Sequence, residues 1–233
     1  MKEEKTEEQN MPWIDRGSFC ETRLTKESMD HLWDMVNQRP RGPLTMNALG
    51  PNNKVYDIED KNDWFFENVL KECSEWLYYK DWNNYYKVHI EHSIPPTLFE
   101  LRLESKGIMK DRVGKMWVNH FKQHEFLPPH SHIGLFSFVV FMKIPTHWKE
   151  QHALPWLINS GPQMSAQPSD FQFILGQSLG TVHQLQIPLC PEDEGRMLFF
   201  PSLLSHQVFP FYECEEERIT ISGNIHPKIN ANT

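Results

Sequence analysis

Residues 195–206 read Gly-Arg-Met-Leu-Phe-Phe-Pro-Ser-Leu-Leu-Ser-His, and beyond them the chain resumes as Arg218-Ile-Thr-Ile-Ser222. The first run is an apolar strand, Met197–Phe200, stopped by Pro201 and followed by a turn that delivers His206. The second alternates, which puts Arg218, Thr220 and Ser222 on one face of a strand. Upstream, Pro128-Pro129-His130-Ser131-His132 stands just before Leu135–Met142, the longest apolar run in the chain, broken only by Ser137. A strand end fixes the backbone while leaving its side chains free to converge. Histidines from two strands can therefore approach one ion, and an inward arginine can hold an anion beside it. A metal site with an anion clamp is the pattern these stretches share.

Working outward, the chain from about residue 85 breaks into short β-rich segments at 85–90, 98–104, 115–122, 135–144, 170–175, 180–187, 196–200, 206–210 and 217–225, separated by Pro, Gly and Asp. Such a series fits a double-stranded β-helix, the jelly roll of the cupins. Ahead of it the spacing predicts a helix over 26–37, capped by Thr25 with Leu32, Trp33 and Val36 on one face. A second helix is expected over 62–79, carrying Trp64, Phe65, Val69, Cys73, Trp76 and Leu77 as a core-packing stripe. The expected class is mainly β with amino-terminal helices (α+β). Residues 1–10 are nearly all polar or charged and read as a disordered tail, because burial cannot offset their ordering entropy. Residues 11–233 read as a single domain, with helical support over about 11–84 and a jelly-roll core over about 85–228, since no Gly/Ser linker divides them. Residues 147–169, with Pro155, Gly161, Pro162 and Pro168, read as a long loop between strands of the kind that contacts substrate.

Composition narrows the function classes. At 233 residues with 39% hydrophobic content the chain can bury a substantial core. A net charge of −8 opposes a general grip on nucleic acid and favours a basic or neutral partner. Cys20, Cys73, Cys190 and Cys214 form no CxxC pair, and the start Met-Lys-Glu-Glu-Lys-Thr-Glu-Glu lacks an apolar signal core. Free thiols and a cytoplasmic location are expected. No apolar run is long enough to span a bilayer. GxGxxG, P-loop, GxSxG and HExxH motifs are absent.

The candidate metal ligands are His130, His132 and His206. The first two share a strand face if the extended backbone continues through Ser131, and the third arrives from another strand. Imidazole-rich sites with open positions suit ferrous iron among other metals, and the usual oxygenase set is two histidines and one carboxylate. The chain holds 12 histidines, and a lone one is more often a surface or hydrogen-bonded residue than a ligand; their joint pattern points to a site. Arg218 and Thr220 are the candidate anion binders, a guanidinium fork matching a carboxylate. The competing reading has that face in solvent, with Arg218 paired to Glu215, Glu216 or Glu217. Asn119 shares a face with Trp117 on 115–122, and its amide either holds a cosubstrate oxygen or packs satisfied. Glu192-Asp193-Glu194 reads as a solvated turn, and His120 and His124 are set aside.

The runs Trp117-Val118-Asn119, Pro129-His130-Ser131-His132, Phe138 to Pro145, Gly195 to His206 and Arg218 to Asn224 resemble the 2-oxoglutarate/iron(II)-dependent oxygenases. Within them they are most similar to a group carried by marine phages and some bacteria. Asp60-Lys61-Asn62-Asp63-Trp64-Phe65 extends the likeness to most of residues 45–228, and the Pro-His and Gly-Xaa-Xaa-Leu-Phe-Phe-Pro elements also resemble aspartyl/asparaginyl β-hydroxylases. The resemblance implies a jelly roll that uses Fe(II), 2-oxoglutarate as cosubstrate and dioxygen. His130 and His206 fall in the positions of metal ligands and Arg218 in that of the cosubstrate clamp. It implies hydroxylation of a small molecule or protein side chain, with 2-oxoglutarate decarboxylated to succinate, in the cytoplasm (the host's, if phage-encoded). The chain departs from the His-Xaa-Asp/Glu pattern, because His132 stands where the carboxylate falls. His132 then ligates itself, or turns away and leaves water, or belongs to a His132-Ile133-Gly134 register that resembles radical halogenases. A non-catalytic jelly-roll binding or structural protein, and a zinc hydrolase with Glu125 as base, are the competing functions.

Overall fold

The computed structural model describes residues 13–15, 19–38, 55–77, 99–103, 115–158, 167–176 and 180–229. The predicted strand at 85–90 and the tail at 1–10 lie outside them. The strands are β1 (Trp13–Asp15), β2 (Cys20–Arg23), β3 (Val55–Glu59), β4 (Phe99–Leu103), β5 (Lys115–Phe121), β6 (Leu127–His130), β7 (Phe136–Lys143), β8 (Phe171–Gly176), β9 (Val182–Ile187), β10 (Arg196–Pro201), β11 (Ser205–Val208) and β12 (Arg218–Ile229). They form two antiparallel sheets. The larger runs β1-β2-β10-β7-β12-β5-β3, with β4 also paired to β12, and the smaller runs β6-β11-β8-β9. From β5 onward the chain passes back and forth between them: β5, β7, β10 and β12 lie in the large sheet, β6, β8, β9 and β11 in the small one.

The sequence of β7, Phe-Ser-Phe-Val-Val-Phe-Met-Lys, explains its central place between β10 and β12: apart from Lys143 every residue of it is buried, so both faces of the strand must be covered. Helices cover one face. α1 (Lys26–Asn37) and the helical stretch from Lys61 to α2 (Lys71–Leu77) place Leu32, Phe65, Leu70 and Cys73 in one cluster with Val118, Phe136, Val140, Phe199 and Ile221. The small sheet covers the other, where Val139, Phe141, Leu198 and Phe200 meet Phe171, Phe173 and Ile187. Burying one such side chain contributes about 1.5–3 kcal/mol.

α1 occupies the predicted residues, and Thr25 Oγ1 accepts from the Ser28 amide at 3.1 Å at its start. The predicted 62–79 helix is corrected. It opens on a tight turn at Lys61–Asp63, with Asn62 and Asp63 at φ 60° and 52°, widens through Phe66–Leu70 and becomes regular only in α2. The cause is Asp60, whose carboxylate accepts the Phe65 and Phe66 amides, both at 2.9 Å, so the helix proper starts later than the apolar period does.

The stretch predicted as helical amino-terminal support also contains β1, β2 and β3, which extend the large sheet at both edges. Residues 147–169, predicted as one loop, carry two short helices, α3 (Trp148–His152) and α4 (Pro155–Ile158); the turn that starts α3 is held by His147 Nδ1 accepting from the Lys149 amide. β6 falls outside the predicted series of strands. It lies at the edge of the small sheet and pairs only with β11, a position where proline's missing N–H is tolerated. All four cysteines are free, and no described helix is long and apolar enough to cross a membrane.

Candidate metal centre

β6 and β11 set the histidines opposite each other. His130 and His206 are direct cross-strand partners. His132 follows where the chain leaves β6, its amide donating to the Ser202 carbonyl at 2.8 Å. The ring centroids lie 4.3 Å (His130–His206), 5.0 Å (His130–His132) and 5.1 Å (His132–His206) apart. One nitrogen from each lies within 4.8 Å of the others, a separation that suits a shared metal ion. Backbone carbonyls set two of the tautomers: His130 Nδ1 donates to Pro128 O at 2.7 Å and His206 Nδ1 to Leu204 O at 2.9 Å. With the proton fixed on Nδ1, the lone pair sits on Nε2 and is available to a metal. Burial, reinforced by the neighbouring imidazoles, drives His206 down to about 3 and His132 to about 4, and burial lowers His130 as well. The rings are therefore neutral near pH 7, as ligation requires. Phe171 stacks on His206 at 5.5 Å and 20°, and Trp117 lies 5.6 Å from His132.

Arg218 is 1% exposed. The predicted alternative, a solvent-facing arginine paired to a neighbouring glutamate, is not what the structure has: Glu215 accepts from Gln123, Glu216 pairs with Lys143 and Glu217 with His120. The guanidinium lies between the rings of Phe121 and Phe211, 5.1 and 5.3 Å away. One terminal nitrogen donates to Ser169 O at 3.1 Å and the other to Phe209 O at 2.9 Å, while Nε is buried without a partner. Burial lowers its pKa to about 10, partly countered by Asp170, so the cation persists at neutral pH. Asp170 is itself pushed up to about 6 by burial, against the pull of His152, which bonds it at 3.0 Å, and of Arg218.

One pocket joins the two groups. It has an empty volume of about 480 Å³, its open mouth included, and its walls carry the three histidines, Arg218, Thr220, Ser222, Trp117 and Asn119. Asn119 Nδ2 donates to Thr220 Oγ1 at 3.3 Å, which leaves the threonine proton to be donated into the pocket. Of the phenylalanines near the site, Phe138, Phe141, Phe171 and Phe200 line the pocket and Phe136 does not. Gly134, at φ 144°, packs its turn against the Ile225 carbonyl and does not line the pocket. Glu125 accepts from the Lys122 amide in its own turn and is not on the wall either. Asp170, His152 and the carbonyls of Ser169 and Phe209 were not foreseen, and they carry no local sequence signal. A second convergence, His147, Cys190 and Glu192, is accounted for by turn capping, since His147 accepts from Lys149 and Cys190 Sγ donates to Asp193 at 3.2 Å.

Residues 115–224, which include every wall residue of the pocket, match the family model described as "Putative 2OG-Fe(II) oxygenase". The match spans 110 of the chain's 233 residues, and the cofactors of the matched family are Fe(II) and 2-oxoglutarate. No curated protein matches the chain. Among solved structures, the chain is similar to a Pseudomonas putida prolyl-4-hydroxylase, with 11% identity, TM-score 0.47, and coverage of 90% of this chain and 92% of that one. A Burkholderia pseudomallei oxidoreductase of the 2OG-Fe(II) oxygenase family gives 10% identity and TM-score 0.45, covering 91% and 88%. A Trichoplax adhaerens prolyl hydroxylase, solved with a hypoxia inducible factor peptide fragment, gives 11% and 0.45, covering 92% and 84%.

Proposed function

We propose that this protein is an iron(II)- and 2-oxoglutarate-dependent dioxygenase that hydroxylates its substrate, built on a double-stranded β-helix formed by β5 to β12. The observation that carries the reading is that three neutral histidines and a buried arginine, with one nitrogen still unpartnered, open into the same pocket. The donor set fits the metal: His130, His132 and His206 would hold it through uncharged nitrogens, two of them with the ring proton held by a backbone carbonyl. Arg218 and Thr220 fit the distal carboxylate of 2-oxoglutarate, the guanidinium donating from a site that excludes water and the hydroxyl adding a second donor. Asn119 orients Thr220 and offers its amide to the same ligand.

Iron held there with 2-oxoglutarate and dioxygen would supply the oxidising chemistry, the cosubstrate leaving as succinate and carbon dioxide. The chain positions these groups and keeps water away. Phe138, Phe141, Phe171 and Phe200 make the wall around the histidines apolar, which limits the access of bulk water to the site. The convergence of His132 with the other two favours an all-histidine set over the halide-accommodating register.

Anaerobic titration of the apoprotein with ferrous iron and 2-oxoglutarate tests the proposal through the visible metal-to-ligand charge-transfer band. The band is expected in the wild type, absent in His206→Ala and weakened in Arg218→Ala. A folded, metal-loaded wild type without the band would overturn the reading in favour of a non-catalytic jelly roll.

A further inference from the structure

We infer that the pocket selects a substrate carrying a negative charge, a carboxylate being the simplest such group, because the wall leaves the metal end of the site one anion short. The inference rests on the dioxygenase reading and adds the substrate class to it. Among the described residues, those of the wall bring a single formal charge, that of Arg218, and include no aspartate or glutamate. Histidines ligate as neutral rings, so His130, His132 and His206 offset none of a divalent ion's charge. 2-Oxoglutarate brings two carboxylates. Arg218 answers one, and the other reduces the metal end to a single positive charge among Phe138, Phe141, Phe171 and Phe200. An uncompensated charge in such apolar surroundings is costly.

In a site with a ligating carboxylate the protein itself cancels that charge; at position 132 this chain has histidine instead. Asp170 does not substitute for it, being off the pocket wall, bonded to His152 and acting on Arg218. A substrate anion completes the balance, whereas an amine would add like charge. The chain's net charge of −8 repels anions at a distance, but salt screens this beyond about 8 Å. It therefore affects the rate of approach more than the choice made inside the pocket.

The test uses the cobalt(II)-loaded protein with 2-oxoglutarate, without oxygen, titrated at constant ionic strength with acetate, methylammonium or chloride and followed by the cobalt visible spectrum. Three proteins are compared: wild type, His132→Asp, which restores a negative ligand, and His132→Gln, which stays neutral. Acetate is expected to saturate a spectral change in wild type and His132→Gln, to bind at least tenfold more weakly to His132→Asp, and methylammonium to do nothing. Equal acetate affinity in wild type and His132→Asp, or no acetate effect on a formed 2-oxoglutarate complex, would overturn the inference. So would chloride binding more tightly than acetate, which would assign the missing charge to an inorganic ion. Failure of 2-oxoglutarate itself to perturb the cobalt spectrum would instead overturn the dioxygenase reading beneath it.

Discussion

At the scale of single residues, Arg218 does two jobs that different substitutions separate. Its terminal nitrogens satisfy the buried carbonyls of Ser169 and Phe209, and its charge faces the pocket. Arg218→Met removes both; each carbonyl left unpartnered costs about 1–3 kcal/mol. Melting should fall by several degrees, at roughly 2–4 °C per kcal/mol for a chain of this size. Arg218→Lys keeps a cation and loses the fork. It is expected to melt closer to wild type yet bind 2-oxoglutarate more than about tenfold more weakly, roughly 1.4 kcal/mol. Calorimetric titration beside thermal melts checks both, and wild-type cosubstrate affinity in the lysine variant would remove the fork from the account. The histidines and Arg218 were legible because alternation places i and i+2 on one face and their chemistry is specific. Ser169, Phe209, Asp170 and His152 were not. Their contribution comes from backbone carbonyls and from side chains that only tertiary folding brings to the arginine.

At the scale of elements, the strand missing from the predicted series is the one that sets the histidine geometry. β6 places His130 against His206 although half of it is proline, because at a sheet edge it needs to pair on one side only. β7 and β10 were legible as strands from their apolar runs. Which of their phenylalanines face the pocket was not, since β7 is buried on both faces and no polar alternation marks the inner one. The same crowding makes β12 sensitive at Gly223, where a Cβ would sit 2.6 and 2.8 Å from ring atoms of Phe138. Gly223→Ala must displace that ring, which is part of the pocket wall. Overpacking of this kind costs about 1–3 kcal/mol. Denaturant melts should show that loss together with weakened 2-oxoglutarate binding, and adding Phe138→Leu should restore part of the stability. Simple additivity of the two losses in the double variant would show that the ring and the glycine do not meet.

At the scale of the whole molecule, buried ionisable groups pull stability in opposite directions with pH. His206 and His132, held at about 3 and 4, are depressed below the unfolded histidine value of about 6.5. In the metal-free protein their contribution is present above that value and is lost as pH falls toward 4 and then 3. Asp170 works the other way. Its folded pKa of about 6 lies above the unfolded aspartate value of about 3.9, so its contribution is fully present below pH 4 and is lost as pH rises through 6. Burial of the charged carboxylate is the cause, and His152 and Arg218 offset it only in part. Asp170→Asn keeps a hydrogen-bonding group opposite His152 and removes the titration. The two effects separate in a difference experiment, because the histidine loss is common to both proteins and cancels. Melting temperatures of wild type and Asp170→Asn, measured metal-free from pH 4 to 7.5, should therefore diverge as pH rises, with the asparagine protein gaining several degrees relative to wild type between pH 4 and 7. A constant difference across that range would mean that Asp170 ionises in the folded protein as it does in the unfolded chain, with no upward shift.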